Sequence, residues 1–88
     1  MERRDSTLRI NGLDLYVTEW GPAKVWPLVA LHGIRGYGET FAGIAQALQP
    51  EFRTIALDQR GRGESAWDPQ CRYYTSAYVA DLESLVNT

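Results

Sequence analysis

The sequence predicts an α/β fold in the element order β-β-β-α-β-α: an antiparallel hairpin, a parallel strand–helix–strand unit and a final helix. Three patterns in the 88 residues predict this fold. Alternating apolar runs flank an Asn-Gly pair, two short runs are apolar on both faces, and two later segments repeat apolar residues at helical spacing. Hydrophobic residues make up 44% of the chain, so it is expected to pack a core.

The hairpin is predicted near the start of the chain. Apolar and polar residues alternate over residues 7–10 and again over 13–20, with Asn11-Gly12 between them. Both central residues of a type I′ turn need positive φ, and an Asn-Gly pair adopts it readily. These patterns predict an antiparallel pair over about 7–10 and 13–20. The polar residues 1–6 are expected to be frayed.

The strand–helix–strand unit is predicted next. Pro27–Leu31 is apolar on both alternating faces, as in a strand covered on both sides, and Phe52–Leu57 is a second apolar strand. Thr40 is expected to cap the helix between them, and Pro50 lies just past its end. The apolar residues of that helix share one face: Phe41, Ile44, Ala45 and Leu48. The crossover should be right-handed.

A second helix is predicted after the loop Trp67–Gln70, with Thr75 or Ser76 as its cap. It should present one apolar stripe toward the sheet. That stripe contains Tyr78, Val79, Leu82, Leu85 and Val86.

Charge and composition exclude several classes of function. The net charge of −2 gives no attraction to nucleic acid or to an anionic membrane. The longest apolar run is far shorter than the ~20 residues of a membrane span. The N-terminus is polar and has no apolar segment behind it, which is not typical of a secretory signal. Cys71 is the single cysteine, so no internal disulfide forms. Cytoplasmic localisation is the expectation.

The first motif is a glycine-rich loop, residues 32–38 (His-Gly-Ile-Arg-Gly-Tyr-Gly), directly after the strand Pro27–Leu31. Its glycine spacing partly fits a phosphate-binding loop, but Glu39 replaces the lysine and would repel phosphate. It also begins a dinucleotide fingerprint, but Phe41 occupies the position of the third glycine. A glycine-rich turn without a ligand is the remaining alternative.

The second motif, Asp58-x-Arg60-Gly61-x-Gly63-x-Ser65, follows the strand Phe52–Leu57. The two glycines allow unusual backbone conformations in a tight turn. Asp58, Arg60 and Ser65 are expected to form hydrogen bonds across this turn.

Arg60 and Arg62 within this motif could instead contact phosphate or nucleic acid. Asp58 and Glu64 are expected to offset their charges locally, which disfavours that role.

Both motifs, in this order and each after a predicted strand, resemble the opening third of an α/β-hydrolase. The resemblance runs from about Leu8 to Val86 and implies that residues 1–88 form a partial domain, the N-terminal part of an α/β-hydrolase sheet. It implies an esterase-like hydrolase of small carbonyl or ester substrates, working without a cofactor or metal. The family also includes dehalogenases, epoxide hydrolases, peroxidases and carbon–carbon bond hydrolases, which these motifs do not separate.

The resemblance also implies roles for single residues. The backbone N–H of Ile34 would be one oxyanion donor, and substrate would lie against Gly33, Ile34, Arg35 and Tyr37. The remaining motif residues would have structural roles in the two loops: His32, Gly36, Asp58, Arg60, Gly61, Gly63 and Ser65.

The 88 residues contain no Gly-x-Ser-x-Gly nucleophile turn. In the family the nucleophile, the acid and the catalytic histidine all follow the second helix. The chain alone is therefore expected to be inactive, with Ser65 a turn residue and His32 a structural one. The alternative is a truncated, inactive remnant or a binding module that associates through its third strand. That strand lacks a fifth-strand neighbour, so we expect an exposed apolar edge and a marginally stable chain that aggregates or binds dye.

Overall fold

The computed structural model describes residues 3–32, 41–48 and 51–87. The elements follow the predicted order: β1 (Arg3–Ile10), β2 (Leu13–Trp20), β3 (Trp26–Leu31), α1 (Ala42–Leu48), β4 (Phe52–Leu57) and α2 (Thr75–Val86). The four strands form one sheet, in which they lie in the order β1-β2-β4-β3. β1 and β4 each run antiparallel to β2, and β3 runs parallel to β4. The hairpin and the parallel strand–helix–strand unit are therefore confirmed.

The hairpin turns at Asn11 and Gly12, whose φ values of 50° and 82° are both positive, as a type I′ turn requires. β1 begins earlier than predicted, since Arg3 already pairs with Trp20. The expectation of a frayed segment was wrong over residues 3–6. β2 is long enough to give these polar residues backbone partners, and the Arg3 guanidinium lies 5.6 Å from the centre of the Trp20 ring.

The core lies on both faces of the sheet. α2 covers one face through Leu85, and α1 covers the other through Ala45. Alternate residues of β2 and β4 point to opposite faces, which is why both helices find an apolar surface. The α2 face contains Ile10, Leu13, Leu15, Val17 and Leu57, and the α1 face contains Trp20 and Ala56.

β3 lies at the edge of the sheet and is not covered on both faces, although its apolar pattern is typical of a covered strand. Trp26 is 77% exposed, and Leu28 and Leu31 are also exposed. Among the described strands, β3 pairs only with β4. The apolar edge expected from the lack of a fifth strand is thus present.

The helices are only partly covered. Ile44 on α1 and Val79 and Val86 on α2 are exposed, so part of each predicted stripe is left uncovered by the described residues. The predicted cap of α2 was wrong. Tyr74 is the N-cap, without a side-chain hydrogen bond, and its carbonyl already accepts the amides of residues 77 and 78.

The predicted boundary residues Thr40 and Pro50 of the first helix lie outside the described residues. Neither helix in the described part of the chain has the length and apolar character needed to cross a membrane.

Candidate functional site

The carboxyl ends of β3 and β4 are joined by a pair of hydrogen bonds. His32 follows β3, and its ring Nε2 accepts the backbone N–H of Gln59 at 2.9 Å. The Gln59 side-chain amide donates to the His32 carbonyl at 2.8 Å. Because Nε2 acts as an acceptor, the ring proton sits on Nδ1. His32 is buried, and these two bonds connect it to Gln59 at the end of β4.

His32 is the first residue of the predicted oxyanion loop, and it is the one residue of that loop that the structure describes. The other residues predicted for that loop, Gly33, Ile34, Arg35, Gly36 and Tyr37, lie outside the described residues. Their roles stay predictions. Gln59 was missed by sequence reasoning, which treated it as a variable position of the second motif. No local sequence signal distinguishes it.

The turn after β4 is held by a serine hydroxyl inserted between two strands. The Ser65 hydroxyl accepts the backbone N–H of Tyr16 at 2.8 Å and donates to the carbonyl of Asp58. The Asp58 N–H donates to the Tyr16 carbonyl at 2.9 Å. Ser65 thus extends the pairing of β2 and β4 by one step. Its hydroxyl is buried and occupied by backbone groups, which fits a turn residue and not a nucleophile.

The two glycines of the motif have φ values of 76° (Gly61) and 52° (Gly63), a region that strains other residues. The Asp58 carboxylate accepts the N–H of Glu64 at 2.9 Å across the same turn. Gly61 also lies against Tyr73, so a Cβ added there would come within 2.8 Å of the ring.

Gly61→Ala should destabilise the chain more than Gly12→Ala. Both positions have positive φ, so at each one alanine should lower the free energy of unfolding by about 1–2 kcal/mol through backbone strain. At Gly61 the new methyl must also displace the Tyr73 ring, whose hydroxyl accepts the N–H of Asp68 at 2.7 Å. At Gly12 the added Cβ meets nothing within 4 Å among the described residues.

Urea unfolding should therefore show that Gly61→Ala lowers the free energy of unfolding by about 1 kcal/mol more than Gly12→Ala does. This difference is roughly the net contribution of one hydrogen bond. Equal losses in the two variants would contradict a constraint from Tyr73.

Arg60 is the centre of a buried ionic cluster. Its Nε and Nη2 donate to the two carboxylate oxygens of Asp81, both at 2.7 Å, in a bidentate pair. Its Nη1 donates to Asp68 and to the Arg72 carbonyl, both at 3.2 Å. Asp81 also accepts the Asn11 side-chain amide at 3.0 Å. The cluster therefore joins the turn, the loop after it, α2 and the hairpin.

The hydrogen bonds of this cluster favour the charged forms of Asp68 and Arg60. Hydrogen bonds from Arg72 hold the pKa of the Asp68 carboxyl well below its usual range, and backbone amides of residues 70 and 72 reinforce this. The hydrogen bonds to Asp81 raise the pKa of Arg60. Sequence reasoning assigned the compensation of Arg60 to Asp58 and Glu64. That assignment was wrong, because the partners lie 8 and 21 residues away.

The chain belongs to the α/β-hydrolase fold family. The family model described as alpha/beta hydrolase fold matches residues 27–88, which include β3, α1, β4, both motifs and α2. This match covers more than half of the chain and shows the family.

Proteins named as a hydrolase and a deformylase are among the curated relatives. Over 70 residues the chain is 37% identical to the 3-hydroxybutyrate-oligomer hydrolase of Cupriavidus necator, an overlap of 77% of the chain and 24% of that protein. It is 35% identical to the N-formylmaleamate deformylase of Pseudomonas putida over 82% of the chain and 26% of that protein. The chain thus spans about a quarter of these relatives.

The fold itself is also found in solved structures. The thioesterase domain from the curacin biosynthetic pathway superposes with a TM-score of 0.90 at 21% identity, over 99% of the chain and 32% of that domain. At this identity the likeness shows the fold alone.

Proposed function

We propose that this chain is the N-terminal part of a hydrolase of small ester or related carbonyl substrates, to which it supplies half of the oxyanion hole. The observation that carries the proposal is the double hydrogen bond between His32 and Gln59. It fixes the end of β3, from which the glycine-rich loop departs. A donor on that loop must be held in place before the reaction to stabilise charge effectively.

In acyl hydrolysis, negative charge develops on the carbonyl oxygen in the transition state. The backbone N–H of Ile34 would face that oxygen, with Gly33 and Gly36 allowing close approach and Arg35 and Tyr37 at the pocket mouth. The names of the two relatives, a hydrolase of 3-hydroxybutyrate oligomers and a deformylase, fit acyl hydrolysis. The second donor, the nucleophile and its base would come from sequence outside these 88 residues.

The test is to read the gene beyond codon 88 and to assay its product on an activated ester such as p-nitrophenyl acetate. We expect a further apolar strand followed by Gly-x-Ser-x-Gly, and ester hydrolysis that the 88-residue chain lacks. Ile34→Pro removes the proposed donor N–H and should lower kcat by about 10²–10³-fold. Ile34→Ala keeps that N–H and is the matched control. Equal rates in the two variants would contradict the role of Ile34.

A second candidate is an inactive module that binds another β-strand at the open edge of β3. The exposed apolar side chains of Trp26, Leu28 and Leu31 favour it. The same experiment separates the candidates. A genuine stop at codon 88 would remove every route to a nucleophile and leave binding through β3 as the function.

A further inference from the structure

A cleft of about 470 Å³ lies between the turn after β4 and the start of α2. His32 and Gln59, the two residues that join the strand ends, form part of its wall. The cleft therefore adjoins the edge from which the oxyanion loop departs. Its volume falls in the range of small-molecule sites, about 300–1,000 Å³.

The cleft contains a cation that has no acidic partner within the described part of the chain. Arg62 lines it, and no Asp or Glu is among its described lining residues. The only hydrogen bond of the Arg62 side chain to another described residue is a long one, 3.4 Å, to the neighbouring Gly61 carbonyl. Every other described arginine has a carboxylate within 4.0 Å, namely Arg3, Arg4, Arg9, Arg53, Arg60 and Arg72.

Two phenols line the same cleft, Tyr73 and Tyr78. The Tyr73 hydroxyl accepts the N–H of Asp68, which leaves its own O–H available as a donor. Val79 adds an apolar contact on the α2 side. A ligand with an apolar body and one anionic group fits this wall, because the rings can cover the body while the guanidinium meets the charge.

We propose that this cleft binds the carboxylate of a small organic acid through Arg62, with Tyr73 and Tyr78 against its apolar body. A guanidinium matches the two oxygens of a carboxylate in a bidentate pair. The inference deepens the proposed hydrolase function and rests on it, since the acid would be the substrate and Arg62 would set specificity for it.

The test measures binding, which needs no turnover. The whole protein that contains this chain is titrated with 3-phenylpropionate and with its neutral amide, following the backbone amide signals of Gln59 and Thr75 by NMR. We expect the acid to bind at least tenfold more tightly than the amide. Arg62→Gln should weaken acid binding about tenfold and leave amide binding unchanged. The affinity of Arg62→Lys for the acid should lie between that of the parent protein and that of Arg62→Gln.

Arg9→Gln, at an arginine that is 69% exposed on the hairpin, is the matched control and should bind the acid as the parent chain does. Absence of binding, equal binding of acid and amide, or parent-like binding by Arg62→Gln would each overturn the proposal. Equal response to inorganic phosphate would also overturn it in favour of a general anion site. If the acid binds as expected but the whole protein hydrolyses no ester, the proposed reaction fails while the carboxylate site stands.

Discussion

Asp81→Ala should prevent the chain from folding stably. The substitution leaves the Arg60 guanidinium, 3% exposed, without the carboxylate that receives two of its hydrogen bonds at 2.7 Å. Breaking a buried ion pair from one side costs about 3–5 kcal/mol, because the remaining charge stays buried. Small domains have total stabilities of only about 5–15 kcal/mol. Urea unfolding followed by circular dichroism should show the loss of the folded baseline or a strongly lowered midpoint.

Asp14→Ala provides the matched control. Asp14 also pairs with an arginine, Arg9, at 3.0 Å, but the side chains are 61% and 69% exposed. An exposed pair of this kind contributes at most about 1 kcal/mol. Asp81→Asn, which keeps the size of the side chain, should be destabilised like Asp81→Ala. Equal effects at Asp81 and Asp14 would show that the buried cluster does not stabilise the fold.

Ser65→Ala should also destabilise the chain strongly. It removes the hydroxyl that joins Tyr16 N–H to the Asp58 carbonyl, and alanine offers neither a donor nor an acceptor. A buried polar group left without a partner costs about 1–3 kcal/mol. Ser84→Ala is the control, since its hydroxyl makes a single exposed bond to Asn11 at 3.2 Å. Its effect should stay within about 0.5 kcal/mol.

The Ser65 variant also separates a turn residue from a nucleophile. The 88-residue chain should show only background hydrolysis of p-nitrophenyl acetate, with or without the serine. Robust turnover by the chain that disappears in Ser65→Ala would make Ser65 the nucleophile and overturn the structural role given to it here. A stability loss without any change in hydrolysis is the expected result.

Local patterns predicted the elements well, because strands, helices and the hairpin turn depend on neighbouring residues. Asn11-Gly12 placed the hairpin, and the second motif placed the turn at the end of β4. Long-range partners left no comparable signal. Asp81 belongs to no motif of the sequence, and only the folded chain shows that it pairs with Arg60. The start of β1 was missed because its polar residues are held by partners on β2, not by their own pattern.

The Arg60 cluster has a consequence for how the chain acquires its structure during synthesis. Asn11 and Asp81, which meet in the cluster, are 70 residues apart, so the ribosome makes one end of this contact long before the other. Arg60 emerges without its bidentate partner and stays hydrated until α2 has left the exit tunnel. The bidentate pair between Arg60 and Asp81 therefore forms only after α2 has emerged, whereas the backbone bond between Asp58 and Tyr16 already joins the turn to β2 before that.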